Sequence, residues 1–243
     1  MGHFGPQGCN LVLDAISRTG RPGLRLCELG SGFGGALRYL AGGLTERGLP
    51  VEWAVGIELV HEHCLSGQRI GGSIGHGHPL VCADVAILPI HGASVDYVVA
   101  TGSIPHFPDM AKVLQEAVRI LRPGGRIIMT EEVSLTREAD EEFSSEFHLT
   151  HPSDVFFTAS LAERRAQLDD AGLVDVEEHD LLPWASELLR SRLKALRIFR
   201  GSVEAIYGAP QTELIVRSLR ATLALYEDGT LLPRMFLARR GPF

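Results

Sequence analysis

At 243 residues, 45% hydrophobic and 22% charged, the chain suits one α/β domain with additions and is long enough to bury a proper core. Its formal charge of −7, with no basic run longer than Arg239-Arg240, argues against a large polyanionic partner such as nucleic acid. Mean hydropathy is +0.09, and no apolar run approaches the ~20 residues that a membrane span needs.

In chain order, the glycine-rich start MGHFGPQG lacks the apolar stretch of a secretion signal, so the expected compartment is a reducing cytoplasm. Residues 8–19 read as a helix with Leu11, Leu13 and Ile16 on one side, stopped by Gly20 and Pro22. Apolar runs at 24–29, 53–58, 79–83, 95–100 and 126–131 read as strands, with crossover helices at about 34–47, 61–70 and 109–121. That alternation predicts βαβ units and a mainly parallel sheet. Residues 132–155 are acidic and irregular, with Glu138, Asp140, Glu141, Glu142 and Glu146 close together. A helix at about 158–171 and a strand at 173–180 follow. Residues 184–227 are mostly amphipathic helix, broken near Gly208-Pro210, and a last strand at 231–239 comes after the turn signal Asp228-Gly229. A helical block between the last two strands is a natural cap over a pocket, an insertion within a single domain. The four cysteines (Cys9, Cys27, Cys64, Cys82) form no CxxC pair, and Cys27 and Cys82 are expected as buried free thiols.

The most informative stretch is LCELGSGFGGALRYLA at 26–41. An apolar strand ends at Glu28, Gly30, Gly32 and Gly34 follow at two-residue spacing, and after Gly35 a helix begins. Strand, glycine turn and helix form a nucleotide-cofactor loop. Gly30-x-Gly32-x-x-Gly35 also satisfies the dinucleotide fingerprint, so the glycines alone leave a nicotinamide and another adenosine cofactor both open. Glu58 ends the second strand, where a carboxylate can accept from both ribose hydroxyls. Asp84 ends the third, placed either to accept from an adenine amino group or to cap a turn. A nicotinamide oxidoreductase would want a constellation such as Tyr-x-x-x-Lys, and none of Tyr39, Tyr97, Tyr207 and Tyr226 has a lysine four residues on.

Glu28 with the three glycines, Glu58, Asp84 with Leu88-Pro89, His106-Phe107-Pro108-Asp109 and Leu121-Arg122-Pro123-Gly124-Gly125 occur in order. Together they resemble the class I S-adenosylmethionine-dependent methyltransferases, closely over 24–131 and more loosely towards both ends. Gly34 to Ala41 and Phe147-His148-Leu149 look like the small-molecule, sarcosine/dimethylglycine-type branch, and His3-Phe4-Gly5 is similar to an N-terminal segment that covers the cofactor. The resemblance implies a Rossmann-like α/β fold with a mostly parallel seven-stranded sheet, helices on both faces and a helical cap. The cofactor core would span about 8–131, the lid about 132–155 and the helical insertion about 183–228 of one domain covering 1–243.

The resemblance also implies S-adenosyl-L-methionine as cofactor, S-adenosyl-L-homocysteine as product and a small molecule as methyl acceptor through nitrogen or oxygen. Gly30, Gly32 and Gly34 would line the methionine moiety, with Glu28 at its amino end. Glu58 would hold the ribose diol, Leu59 the adenine face, and Asp84 the adenine amino group beside Val85. Thr101 and Gly102 would stand near the transferable methyl. Two departures stand out: relatives more often carry an acid or amide at the place of Gly102, which touches the acceptor contacts, and aromatic residues at those of Pro6 and Gln7, which touches the N-terminal lid.

Methyl transfer from a sulfonium is an in-line displacement, so the protein mainly aligns donor and acceptor. A base is needed only for a protonated nucleophile, and His106, just past the fourth strand, is the candidate, with helix capping or packing against Pro105 and Pro108 as its alternative. His148 and His151 could enter the acceptor pocket, while Trp184, Phe199 and Tyr207 could line it, with helical core the stronger expectation for at least two of them. The pairs His61/His63 and His76/His78 lack Cys, Asp or Glu partners at zinc-like spacing and read as solvated surface. The acidic run 138–146 reads as a solvated face, or as an attractor for a cationic amine. An intact cofactor loop also suits a protein that binds the cofactor without transferring methyl, as a cyclase or a regulatory binder.

Overall fold

The computed structural model describes residues 4–135, 145–148 and 151–242. His3, Leu149 and the side chains of the acidic run at 138–146 lie outside them. The elements in order are α1 (Gly5–Thr19), β1 (Leu24–Leu29), α2 (Gly35–Glu46), β2 (Val51–Glu58), α3 (His61–Ser73), β3 (Leu80–Cys82), β4 (Val95–Thr101) and a 3-10 turn (Ile104–His106). They continue with α4 (Met110–Ile120), β5 (Leu121–Ser134), α5 (Ser145–His148), α6 (Leu161–Asp170), β6 (Leu173–Asp180), α7 (Leu182–Ile198), α8 (Arg200–Tyr207), α9 (Ala209–Glu227) and β7 (Leu231–Arg240).

Seven strands form one sheet in the order β3-β2-β1-β4-β5-β7-β6. The β1/β2, β1/β4, β2/β3 and β4/β5 pairs are parallel. Successive residues of a strand point to opposite faces, yet Leu26 to Leu29, Val98 to Ala100 and Ile127 to Met129 are all buried. Both faces of the sheet are therefore covered, as a parallel sheet requires. Strand order reverses between β1 and β4, and in such sheets ligands bind at the carboxyl ends of the strands beside that reversal.

Local signals account for most element boundaries. Asp109 caps α4 by accepting from the Lys112 amide at 3.2 Å, and Val113, Leu114, Ala117 and Ile120 bury one face of the helix. At the start of α6, Ser160 and Glu163 form a capping box: Ser160 Oγ accepts from the Glu163 amide at 3.2 Å, and Glu163 Oε2 accepts from the Ser160 amide at 3.0 Å. The fifth strand begins earlier than expected. Leu121 already pairs with Val95, and pairing resumes only at Arg126 opposite Tyr97, so Arg122 to Gly125 bulge out of the ladder. Arg122 holds the bulge through an ion pair with Asp96 at 3.1 Å. The long helical stretch breaks at Phe199 as well as at Gly208.

The chain falls into two compact units: Met1–Glu131 with Arg165–Glu178 and Met235–Phe243, and Glu132–Arg164 with His179–Arg234. The first holds the glycine loop, and the second holds both the stretch read as a lid and the helical insertion. Two expectations of burial fail. Cys82 is exposed because β3 is only three residues long at the sheet edge, whereas Cys27 lies in the middle of β1 and is buried. Phe199 and Tyr207 are 60% and 59% exposed at the ends of α8, a helix with no buried residue.

Within the second unit, α9 is tied to β5 by the buried Tyr226 hydroxyl, which donates to Glu132 Oε1 at 2.8 Å. Burial first, then the Glu132 charge, pushes the Tyr226 phenol well above its ordinary range, so it stays a donor. Tyr226→Phe removes this buried hydrogen bond to a charged group and is expected to cost about 1.5–3 kcal/mol in urea denaturation. An unchanged midpoint would show that this bond does not hold α9.

Candidate active site

The site is built where β1 ends. Burial of Leu26, Cys27 and Leu29 carries Glu28 into the interior with them, and it is only 1% exposed. Its Oε1 accepts from Thr101 Oγ1 of β4 at 3.0 Å, a contact set by the parallel register of Glu28 with Val99. Its Oε2 is buried with no hydrogen-bond partner. Desolvation dominates, and it raises the carboxyl to about 7 against the pull of the Thr101 hydroxyl. The Cys9 thiol is pushed to about 11 by burial and then by the Glu28 charge. Phe4, Gly5, Gly8 and Cys9 line a small cleft with Thr101 and Thr130, so the N-terminal stretch does lie at this end of the sheet.

After β1 the backbone turns through Gly30, Gly32 and Gly34, all in the left-handed region. The loop is pinned to β2 by the Ser31 amide on the Ile57 carbonyl at 2.9 Å. A side chain on Gly30 would strike Ser103, whose Cβ lies 2.5 Å from the ideal Cβ position. At Gly32 that position meets nothing within 4 Å. The loop therefore has one glycine demanded by packing and one that opens onto free space.

Glu58, 8% exposed at the end of β2, closes the loop from the other side. Its Oε2 accepts from the Gly32 amide at 2.8 Å, and its Oε1 from the Val60 amide at 3.0 Å. His63 Nδ1 also lies 3.2 Å from Oε1, and the Phe33 ring is tilted against the His63 ring at 4.6 Å. His63 is thus a site residue that had read as solvated surface. The available signal was its place in the first turn of the helix that follows Glu58.

Asp84 is exposed past β3. Its Oδ1 accepts from the Ala86 amide at 2.8 Å, so the turn role is real, and Oδ2 is left unused. Val85 is buried. Large apolar side chains stand exposed after three neighbouring strands: Phe33 after β1, Leu59 (70%) after β2 and Ile87 (76%) after β3. Ile87 had not been singled out in the sequence. Exposed apolar surface beside two carboxylates and a glycine loop suits a ligand with a flat ring, a ribose and a charged end. The residues present thus fit an adenosine cofactor with an amino-acid tail: an orphaned buried carboxylate oxygen, a loop that opens at Gly32 and apolar side chains without cover.

The remaining expected residues lie apart from this cluster in the chain. His106 is exposed at the end of the 3-10 turn after β4, its amide on the Ser103 carbonyl at 3.0 Å. In the second unit, the His151 ring stacks on Phe147 at 4.2 Å, with Phe156 edge-on to both. His148 Nδ1 lies 3.4 Å from the His151 carbonyl. Trp184 is half-buried in the first turn of α7, and Tyr207 ends α8. Among the described residues, no three His, Cys, Asp or Glu side chains gather as metal ligands would, and no helix is long and apolar enough to cross a membrane.

Residues 27–129 match the family described as a methyltransferase domain. The chain is 26% identical over 191 residues to phosphoethanolamine N-methyltransferase 2 of Caenorhabditis elegans, covering 76% of this chain and 40% of that protein. It is 30% identical over 121 residues to sarcosine/dimethylglycine N-methyltransferase of Halorhodospira halochloris, covering 49% of this chain and 41% of that protein. The chain thus spans well under half the length of these curated relatives. Among solved structures, it resembles phosphoethanolamine N-methyltransferase 2 of Haemonchus contortus, in complex with phosphomonomethylethanolamine and S-adenosylhomocysteine. The TM-score is 0.81 at 18% identity, over 96% of this chain and 52% of that one. With a methyltransferase-domain match over residues 27–129 and the glycine loop at its strand-order reversal, this sheet has the Rossmann-like fold of the class I methyltransferases.

Proposed function

We propose that the chain transfers a methyl group from S-adenosylmethionine to a nitrogen or oxygen of a small molecule and releases S-adenosylhomocysteine. The observation that carries this reading is the closed arrangement of the glycine loop between two carboxylates, Glu58 bonded to the Gly32 amide and Glu28 with a bare oxygen. The bound cofactor supplies a methyl carbon already activated on a sulfonium. The protein's work is to bind, orient and exclude water.

In this reading Gly30, Gly32 and Gly34 line the methionine part and Glu28, supported by Thr101, takes its amino end. Glu58 takes the ribose diol, Leu59 lies along the adenine with Val85 beneath, and Asp84 accepts from the adenine amino group through Oδ2. His106 accepts a proton where the acceptor starts protonated. His148, His151, Trp184 and Tyr207 are the candidates for acceptor contacts, and residues 1–243 act as one methyltransferase domain. N-methyltransferases among the relatives favour an amine or phosphorylated amine as acceptor.

Calorimetry with S-adenosylhomocysteine tests the cofactor half. Glu58→Ala removes two charge-assisted hydrogen bonds of about 1.5 kcal/mol each and is expected to weaken binding about 100-fold. Equal affinity in the two proteins would sink the assignment. Mass spectrometry of candidate amines and phenols incubated with S-adenosylmethionine tests the transfer half. Cofactor binding with no methyl-sized mass gain in any of them would favour a binder or cyclase instead.

A further inference from the structure

Counting donors at Glu58 shows a conflict. An ionised carboxylate offers about four lone-pair sites. Three are engaged: the Gly32 amide on Oε2, and the Val60 amide and His63 Nδ1 on Oε1. A ribose diol brings two more donors, one beyond capacity. The amides of Gly32 and Val60 are main-chain groups of the glycine loop and of the β2–α3 junction, and they cannot leave without unmaking both. His63 is a side chain, 40% exposed, with rotatable bonds and open solvent on one side.

We infer that His63 is a placeholder for the ribose diol: it occupies the Glu58 lone pair that the cofactor must take, and it leaves when the cofactor binds. This rests on the proposed cofactor reading. Because the carboxylate can only accept, the proton of the contact belongs to Nδ1. A protonated imidazole holds Glu58 as an ion pair, while a neutral one holds it by a single hydrogen bond or turns away. His63 therefore competes most strongly when charged, and cofactor affinity should be lower in acid than in alkaline solution. Among the described residues, Glu58 is the one ionisable group within bonding distance of His63, and the loop offers it only the uncharged Phe33 ring. On α3 its ionisable chain neighbours are His61, Glu62 and Cys64.

The experiment is calorimetric titration with S-adenosylhomocysteine at pH 5.5 and 8.5 on wild type, His63→Ala and His63→Gln, with thermal melts to confirm that each variant is folded. Glu28 titrates in the same window, so the comparison is between proteins at each pH, which cancels its contribution. At pH 5.5 both variants should bind about two- to fivefold more tightly than wild type, the scale of a partly exposed ion pair. At pH 8.5 the three should converge. The glutamine keeps a neutral donor that cannot charge, so its agreement with alanine would assign the effect to the proton. Weaker binding by both variants at both pH values would make His63 a support for Glu58 and overturn the inference. So would variants whose ratio to wild type is the same at both pH values. If wild type itself binds no S-adenosylhomocysteine at either pH, the cofactor reading fails, and the inference falls with it.

Discussion

Glutamine in place of Glu28 is expected to stabilise the protein increasingly as pH rises, the difference from wild type growing by about 3 kcal/mol between pH 4 and pH 8. The Glu28 carboxyl is raised to about 7 by burial, from an ordinary value of 4.5. Between those two values the folded protein holds a proton that the unfolded chain has lost. Stability therefore falls through that window, and the penalty is complete once the folded group has ionised above pH 7. Glutamine keeps the Thr101 contact, now to an amide oxygen, and carries no charge to desolvate. Urea denaturation of both proteins at pH 4, 6 and 8 measures the effect, and a difference independent of pH would refute it. The same substitution should weaken S-adenosylhomocysteine binding at pH 8. A cationic amino group beside Oε2 would compensate the buried charge, so cofactor binding near pH 7 should release protons, which calorimetry in two buffers of different ionisation enthalpy detects. A buried carboxylate that costs stability until a cation arrives is the pattern of a binding site, where stability is given up for function.

Alanine at Gly30 and alanine at Gly32 are expected to fail in different ways. Both glycines have positive φ, at 66° and 54°, which costs an alanine about 1 kcal/mol. At Gly30 the new methyl also meets Ser103 at 2.5 Å, and Ser103 cannot retreat because its Oγ donates to the Leu29 carbonyl at 2.7 Å. Overpacking adds about 1–3 kcal/mol, so Gly30→Ala should lose about 2–4 kcal/mol of stability in urea denaturation. Gly32→Ala meets nothing and should lose only the backbone share. Its methyl stands in the space in front of the loop, and S-adenosylhomocysteine affinity should drop at least about tenfold, as it does when a backbone approach is blocked. Normal affinity in a folded Gly32→Ala protein would show that the ligand does not approach the loop there.

Much of the cofactor side was legible in the chain because its signals are local. Glycines at two-residue spacing after an apolar strand impose a tight turn wherever they occur, and acids at Glu28, Glu58 and Asp84 fall at strand ends by simple alternation of elements. The turn at Asp228-Gly229 lies in the same class. The early start of the fifth strand and its bulge at Arg122 to Gly125 are not legible locally, because Val95, the partner of Leu121, belongs to another strand.

By itself, then, the sequence determined the order of strands and helices, the loop at 30–34 and the acids that flank it. Only the tertiary structure decided what those acids do. Glu28 becomes a buried carboxyl with a raised pKa because strand pairing brings Thr101 beside it and covers the rest. His63 joins Glu58 because the first turn of α3 folds back over the end of β2, and a histidine's neighbours cannot be read from its spacing. Phe199 and Tyr207 stay exposed although helical patterning suggested core, since burial depends on which face another element covers. Turns and periodicity are properties of a few adjacent residues, whereas charge, burial and hydrogen-bond capacity depend on groups that meet only when the chain has folded.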